Sequence, residues 1–550
     1  MVSKTKSKKE SFMQGVVALM FSQVLIKLLG LIYKLYLTNK EGFGDEGNAI
    51  YSAGFQIYAL LLTLSSIGVP NAIAKMVSER RAIGDYKGAH RIFKISFLTF
   101  SLIGLAGTCV LFFGANLIAN SWLQIPEAEL TLIALSPSIF FVAIGSVGRG
   151  YFNGIQNMKT TANSQTLEQV FKTLLTVIIV EIVAFVSGLN TKMMAAGANL
   201  ATTLATFFSF GYLYMIYKSR GNERALEIQQ TVNYKPERIR QIVKNILFVS
   251  IPMSLSSILS SLNKNIDSFT VVRGLKTHMS DTAAKATYGI LGGKVDTLTS
   301  LPLSLNVAFA TALVPTIAIS KTKGDMTSAT KKVSFSLLVT MLIGLPCTVG
   351  MFIFADQILN LLFPNASNGA LLLQISSLTI IFTILAQTVN GALQGLGKLS
   401  IPAIALGIGV IVKLIMNLIL VPIQGIGAAG AAWGSVVCHL ISFLIGFSVL
   451  KKNMKLDLNF NKFILKPVVA TIIMSVCSYG SYIGITKFFI NNIVNLGIST
   501  EKVATILAMI IAVVIYIIAV AILKIFTREE IESLPMGNKI YKIMEKAKIY

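Results

Sequence analysis

The stretch VATILAMIIAVVIYIIAVAIL at residues 503–523 contains no charged side chain. It is long enough to cross a lipid bilayer, which takes roughly 20 mainly apolar residues. Similar apolar stretches recur back to residue 13, and the 550-residue chain is 54% hydrophobic and only 13% charged. This share of hydrophobic residues is higher, and the share of charged residues lower, than in ordinary water-soluble proteins. The sequence therefore predicts an all-α polytopic membrane protein.

Apolar windows between polar segments predict about fourteen transmembrane helices. The first window is longer than a signal peptide and has no cleavage site, so we expect it to be a retained helix. The windows are residues 13–38, 47–76, 91–115, 129–153, 162–188, 192–217, 242–271, 284–318, 331–355, 366–394, 400–422, 425–450, 462–489 and 501–526.

The chain is strongly basic, with a formal net charge of +24. Its lysines and arginines concentrate in alternate connections between the apolar windows. That placement follows the positive-inside rule of membrane proteins and argues against nucleic-acid binding. It predicts a multi-pass protein with both termini in the cytoplasm. The even number of windows follows from the same alternation, because one missed span would invert every later connection.

The sequence also repeats itself at an offset of about 240 residues. GYFNG at 150–154 aligns with GALQG at 391–395, and Lys172 then falls on Lys413. Gly84-Asp85 matches Gly324-Asp325 in the same way. The repeat predicts two six-helix lobes with the same orientation, followed by two extra helices, and the cavity between such halves is the expected substrate path.

This repeat predicts the domain organisation. The predicted segments are a basic cytoplasmic N-terminus (1–12), an N-lobe (13–217), a basic cytoplasmic linker (218–241), a C-lobe (242–450), helices thirteen and fourteen (451–526) and a cytoplasmic tail (527–550). The four cysteines and three histidines are scattered through these segments without metal-ligand spacing. They point to neither a disulfide framework nor catalytic metal chemistry.

Charged side chains inside a membrane helix are costly, so we expect them to face a partner or a water-filled cavity. Cations outnumber anions in the predicted helices, and such a cavity suits an anionic head group such as a diphosphate. The predicted substrate-binding residues are Lys27, Lys34, Lys172, Lys264, Lys294 and Lys413. For each lysine alone, the alternative is a local ion pair or a side chain that reaches back to the interface.

Two helices carry acidic side chains with predicted partners. Glu168 and Lys172 are four residues apart, a spacing that permits an internal ion pair. Asn263 and Asp267 share a helix face, where they suit either a small cation or a hydrogen bond to another helix. Asp267 is also close enough in sequence to meet Lys264.

Several motifs resemble those of a known superfamily of exporters. LNKNID at 262–267 and YGILGGKVDTLTSLPLSLNVAFATALVP at 288–315 resemble helices seven and eight of MurJ-type lipid II flippases. The first helix, Lys27-x-x-Gly30-x-x-Tyr33-Lys34, and the segment 149–172 more closely resemble the stage V sporulation protein B branch. Both branches belong to the multidrug, oligosaccharidyl-lipid and polysaccharide exporter (MOP) superfamily. The resemblance covers about the whole chain.

The resemblance implies a flippase that moves an undecaprenyl-diphosphate-linked cell-wall precursor across a bacterial cell membrane by alternating access. We expect it to act as a monomer. The resemblance assigns Lys27 and Lys294 to the substrate diphosphate, and it assigns Asp267, with Asn417 as a helper, to a sodium site. Asn263, on the same helix face as Asp267, is the third candidate ligand for sodium. Where MurJ-type first helices have an Arg-Asp pair this chain has Tyr33-Lys34. The exact substrate is therefore not carried over.

Two alternatives come from other functional classes. A multidrug efflux antiporter of the same superfamily would need cavity carboxylates that exchange protons or sodium for cationic drugs, and Asp267 alone is thin support for it. A membrane-bound glycosyltransferase would need a sizeable soluble loop. The longest connection, near 218–241, is too short for one, so no enzyme activity is predicted.

Overall fold

The computed structural model describes residues 25–66, 68–232, 234, 237–322, 324–456, 458–492 and 500–532. Every regular element within these ranges is a helix. The predicted N-terminus (1–12), the start of the first window and most of the predicted tail lie outside the described residues. The all-helical fold class predicted from the sequence is confirmed.

The helices are labelled α1 to α19 in chain order, and short π or 3-10 turns extend some of them. The first nine are α1 (25–39), α2 (Gly44–Ser66), α3 (Val69–Ala82), α4 (Tyr86–Leu117), α5 (Glu129–Gly154), α6 (Met158–Ser187), α7 (Thr191–Ser219), α8 (Gly221–Gln229) and α9 (Ile239–Leu275). The others are α10 (Asp281–Gly289), α11 (Asp296–Thr322), α12 (Met326–Ile353), α13 (Ala355–Leu362), α14 (Ala370–Gly395), α15 (Ser400–Leu420), α16 (Ala428–Asn453), α17 (Lys466–Asn492), α18 (Thr500–Ile522) and α19 (Arg528–Glu532).

Among the described residues, ten helices are long and apolar enough to cross a membrane. The predicted windows outside this count are the first, second, seventh and eighth, which correspond to α1, α2 with α3, α9, and α10 with α11. These helices carry most of the charged side chains predicted for the site. The chain is a multi-pass membrane protein, and the number fourteen stays a prediction.

By its internal contacts the chain divides into two compact units. Unit 1 comprises Met1–Thr297 and Lys413–Ala431, and unit 2 comprises Leu298–Val412 and Ala432–Tyr550. Within unit 1, α9 and α10 pack against α2. The lobe boundaries predicted from the sequence repeat stay a prediction.

The repeated glycines have equivalent surroundings in the two units. In unit 1, a Cβ atom on Gly150 would lie 2.9 Å from the Cα of Pro70. In unit 2, a Cβ atom on Gly391 would lie 2.3 Å from the carbonyl oxygen of Ala310. Pro70 and Ala310 are themselves about 240 residues apart, as the two glycines are. Only glycine permits these close helix contacts, so the repeat read from the sequence corresponds to a repeated packing arrangement.

The same repeat holds at the turns that precede α4 and α12. Gly84 and Gly324 both adopt left-handed backbone conformations, with φ of 80° and 73°. The following aspartates cap the next helix: Asp85 accepts a hydrogen bond from the Gly88 amide at 2.7 Å, and Asp325 accepts one from the Ser328 amide at 3.0 Å. Asp or Asn at this position is a favoured helix N-cap.

We expect Gly391→Ala to destabilise the protein and Gly350→Ala to be neutral or mildly stabilising. The added methyl group at 391 would overlap backbone atoms of α11, and overpacking of this kind costs about 1–3 kcal/mol. At Gly350 no atom of the described residues lies within 4 Å of the added Cβ. Alanine in a helix is there worth roughly 0.5–1 kcal/mol over glycine. Thermal unfolding of both purified variants checks the difference, and equal melting temperatures would contradict it.

Candidate functional site

Eleven charged side chains from α1, α2, α5, α6, α9, α15 and the α10–α11 junction form the candidate site in unit 1. Four are carboxylates that each bind a cation, and three are lysines with no carboxylate within 4 Å among the described residues. The four pairs are Asp45–Lys294, Glu168–Arg149, Asp267–Lys413 and Asp296–Lys264. The three lysines are Lys27, Lys34 and Lys172.

Lys413 holds α15 to α9. Its ammonium group donates to Asp267 Oδ2 at 2.7 Å and to the Asn263 carbonyl at 2.8 Å, and the side chain is 1% exposed. One turn along α15, the Asn417 amide donates to Asp267 Oδ1 and to Thr270 Oγ1, both at 2.9 Å. Because this ion pair is buried, removing either partner alone is expected to destabilise the protein strongly.

The residues predicted for sodium are thus brought together, but the cation bound to Asp267 is the Lys413 ammonium. Asn263 contributes its backbone carbonyl to that lysine. Asn417 Oδ1 is buried and accepts no hydrogen bond in the described structure. No group of three or more His, Cys, Asp or Glu side chains in the described ranges is arranged to hold a metal ion. Sodium at Asp267 stays a prediction.

Lys264 pairs with Asp296 rather than with Asp267, which corrects the contact that sequence spacing allowed. The ammonium nitrogen lies 3.0 and 2.8 Å from the two carboxylate oxygens. The side chains are 44% and 39% exposed, although Lys264 lies deep in the 37-residue helix α9. An accessible ion pair at such a depth is expected to face water rather than lipid.

Lys294 is fully buried against Asp45. It lies in the π-helical turn Ile290–Val295 between α10 and α11, and its ammonium nitrogen is 2.8 Å from Asp45 Oδ1. Gly289 makes the contact possible, because a Cβ atom there would lie 1.8 Å from the Asp45 carbonyl oxygen. Sequence analysis missed Asp45, which lies just outside the predicted window in an acidic connection. In this structure the charge of Lys294 is therefore paired with the carboxylate of Asp45.

The predicted ion pair between Glu168 and Lys172 is wrong. Glu168 binds the guanidinium group of Arg149 instead, and the same arginine donates to Ser164 at 3.2 Å and Ser209 at 3.0 Å. Arg149 lies inside α5. Because Glu168 binds Arg149, it does not form an ion pair with Lys172.

Lys172 and Lys34 are held by aromatic rings. The Lys172 ammonium lies 4.3 Å from the ring centre of Phe55 and 5.1 Å from that of Tyr33. The Lys34 ammonium lies 4.3 Å from the ring centre of Tyr51. Both lysines are 7% exposed, and neither has a carboxylate within 4 Å in the described part of the chain. Cation–π contacts replace counter-ions here.

Polar side chains of α2 complete the surroundings of Lys34. Its ammonium donates to Asn48 Oδ1 at 3.2 Å and to Ser52 Oγ at 3.4 Å. The Asn48 amide in turn donates to Thr38 at 2.8 Å. These partners are neutral, so they satisfy the hydrogen bonds of Lys34 without cancelling its charge.

Lys27 is exposed and has no carboxylate within 4 Å among the residues that the structure describes. It lies within electrostatic range of Lys264 and Asp296, beside the accessible ion pair. With Lys34 and Lys172 it gives this part of unit 1 an excess of positive charge. A surplus of this sign attracts anions and repels cations.

A separate charge cluster lies on the predicted outer side, where the α9–α10 turn meets the start of α5. Lys285 is 4% exposed and binds Glu127 at 2.7 Å and Asp281 at 2.6 Å. Lys276 binds Asp281 at 2.5 Å and donates to the Gln124 carbonyl at 2.8 Å. These bonds fasten the α9–α10 turn to the turn that precedes α5.

This cluster predicts a stability change at acid pH. Burial opposes the ionisation of Asp281, but hydrogen bonds from Lys276 and Lys285 outweigh burial and lower its pKa. Its contribution is therefore complete above the unfolded pKa of about 3.9 and is lost as pH falls through the lower folded-state pKa. We expect Asp281→Asn to reduce the loss of thermal stability between pH 5 and pH 3. An unchanged pH profile in this variant would contradict the assignment.

Repeated helix packing in a multi-pass membrane protein with several cations inside its helices is typical of a membrane transporter. The chain belongs to the polysaccharide biosynthesis protein family, whose model matches residues 12–321, and through it to the MOP superfamily. The MatE family model also matches, over residues 252–419. The resemblance to exporters of this superfamily is thereby confirmed.

Two curated relatives from Bacillus subtilis (strain 168) match most of the chain. Stage V sporulation protein B is 25% identical, and the alignment covers 84% of this chain and 88% of that protein. Lipid II flippase MurJ is 25% identical, and the alignment covers 80% of this chain and 82% of that protein. These relatives are named for sporulation and for lipid II flipping.

Two solved structures share the fold. Lipid II flippase MurJ in an inward closed conformation superposes with a TM-score of 0.66 at 17% identity, covering 93% of this chain and 98% of that one. An inward-facing multidrug resistance MATE transporter superposes with a TM-score of 0.65 at 18% identity, covering 78% of this chain and 94% of that one. At these identities the two comparisons concern the fold alone.

Proposed function

We propose that the protein is a flippase that moves an undecaprenyl-diphosphate-linked cell-wall precursor from the inner to the outer leaflet of a bacterial cell membrane. The substrate is lipid II or a related polysaccharide unit. The lipid tail stays in the bilayer while the diphosphate enters the cationic region of unit 1. Both termini face the cytoplasm, and the protein works as a monomer by alternating access.

The observation that supports this proposal is the balance of charge in unit 1. Each carboxylate of the candidate site has a cation, whereas Lys27, Lys34 and Lys172 have none of the described carboxylates within 4 Å. Placing a diphosphate near these lysines would neutralise charge that is otherwise expensive inside a membrane. An organic cation would increase that cost.

The membrane potential favours the proposed direction of transport. Moving one negative charge outward from a negative interior is favoured by roughly 2.3 kcal/mol per 100 mV. A diphosphate head group therefore carries its own driving force. In this scheme sodium at Asp267 would reset the empty carrier by competing with the Lys413 ammonium for the carboxylate.

The alternative is a multidrug efflux antiporter, which the MatE match and the shared MATE fold favour. Such an exchanger needs a carboxylate that can release its cation to a proton or to sodium. Asp267 is the candidate, but its two oxygens accept hydrogen bonds from Lys413 and Asn417. The charge balance therefore favours the flippase.

Complementation separates the two functions. We expect the chain to restore growth to a bacterial strain depleted of its lipid II flippase, with no change in resistance to cationic drugs. A variant with methionine at Lys27, Lys34 and Lys172 serves as the matched control and should not restore growth at equal membrane expression. Drug resistance without restored growth would support the antiporter instead.

A further inference from the structure

Two neighbouring cavities in unit 1 lie away from the lysine cluster. The first has a volume of about 40 Å³, lies at the end of α7 and the start of α8, and is lined by Arg81, Arg220 and Arg224. The second has a volume of about 200 Å³ and is a groove between α4, α5 and α7. Phe152 and Tyr217 line both, so the cavities adjoin.

The first cavity has one cation that no carboxylate balances. Arg81 forms two hydrogen bonds with Glu227, at 2.7 and 2.8 Å, and Arg220 binds Glu223 at 2.9 Å. Arg224 lies 3.8 Å above the ring of Tyr217 and donates to a backbone carbonyl. In the described ranges it has no carboxylate within 4 Å.

The groove is apolar except at one end. Phe93, Phe97, Phe210 and Leu213 line its length, and Lys94 lies exposed on its rim. The three helices around it are among those apolar enough to span a membrane, so we expect the groove to open toward lipid. Its apolar lining suits an acyl chain.

An unsatisfied polar atom lies behind the aromatic rings that line the two cavities. The His90 ring stacks on Phe93 and Tyr217 at centroid distances of 6.2 and 6.3 Å. His90 Nδ1 is buried without a hydrogen-bond partner in the part of the chain that is described. Lys94 and Arg224 both lie within electrostatic range of this ring. Two cations therefore lie near the point where the cavities adjoin, and their combined charge suits an anionic ligand.

We propose that this pair of cavities binds one anionic phospholipid. Its phosphate lies between Lys94 and Arg224, and one acyl chain fills the groove along Phe97 and Leu213. The positive-inside pattern predicts that α8 is cytoplasmic, so the lipid belongs to the cytoplasmic leaflet. This lipid site is separate from the proposed substrate site, because it uses none of Lys27, Lys34 and Lys172.

Lipid binding to the purified full-length protein tests the proposal. Native mass spectrometry compares phosphatidylglycerol with phosphatidylcholine of the same acyl chains. Each cation near an anionic lipid contributes about fivefold in affinity. The double variant Lys94→Gln, Arg224→Gln should therefore bind phosphatidylglycerol roughly 30-fold more weakly. Lys159→Gln, which removes an exposed cation of α6 outside both cavities, should leave binding unchanged.

A second variant tests the acyl chain alone. Among the described residues, an added Cβ atom at Gly148 meets only Leu213, at 3.5 and 3.8 Å, so Gly148→Leu should fold and fill the groove. It should weaken phosphatidylglycerol binding while the charges remain. Equal affinity in the double variant and in Lys159→Gln would overturn the proposal. Equal binding of phosphatidylcholine, or displacement of the lipid by inorganic phosphate, would overturn it as well.

Discussion

Replacing Lys172 with methionine is expected to slow translocation of a diphosphate-linked lipid by roughly 10- to 100-fold. Methionine keeps much of the side-chain volume and the contacts with Phe55 and Tyr33, but it removes the charge. A unit charge about 5 Å from a phosphate contributes about 3 kcal/mol at an effective dielectric constant near 20. Part of that interaction is lost to screening. The expected change is thus a loss of rate rather than of folding.

The measurement is exposure of the sugar head group on the outer face of reconstituted vesicles. Lys159→Met is the matched control, because Lys159 is an exposed cation on the same helix, α6. It should translocate at the wild-type rate. If Lys172→Met also keeps the wild-type rate at equal reconstitution, the lysine does not take part in transport.

The second large effect is expected on stability, at Lys413. Lys413→Met leaves the Asp267 carboxylate without its cation in a buried setting, which costs about 3–5 kcal/mol. Removing the charge of Asp267 as well should recover most of the loss. The double variant Lys413→Met, Asp267→Asn is therefore expected to melt at a higher temperature than Lys413→Met alone.

Thermal unfolding of the wild type, both single variants and the double variant completes the comparison. The coupling energy from this cycle isolates the interaction between the two side chains. A double variant that is no more stable than Lys413→Met would mean that the ion pair is not the source of the stability. In that case the packing of α15 against α9 would have to account for it.

The membrane class and the repeat could be predicted from the sequence because both depend on local pattern. Apolar windows indicate membrane-spanning helices directly. The GYFNG and GALQG motifs place glycines where two helices approach too closely for a side chain. Nothing beyond composition and internal offset was needed for either conclusion.

The ion pairs could not be predicted, since their partners are distant in sequence. Asp267 and Lys413 are 146 residues apart, and no spacing rule joins them. Glu168 and Lys172 illustrate the opposite error: their spacing permits a pair, but Arg149 on the neighbouring helix α5 is the stronger partner for the carboxylate. Tertiary contacts thus decided which lysines kept their charge uncompensated.

In the proposed function, Lys27, Lys34 and Lys172, which have no described carboxylate within 4 Å, select a negatively charged head group. The most direct test compares translocation of two lipids in vesicles that differ only in the link between tail and sugar, one a diphosphate and the other uncharged. We expect the diphosphate-linked lipid to move at least tenfold faster, and we expect the preference to disappear when Lys27, Lys34 and Lys172 are all replaced by methionine. Equal rates for the two lipids in the wild-type protein would contradict the account.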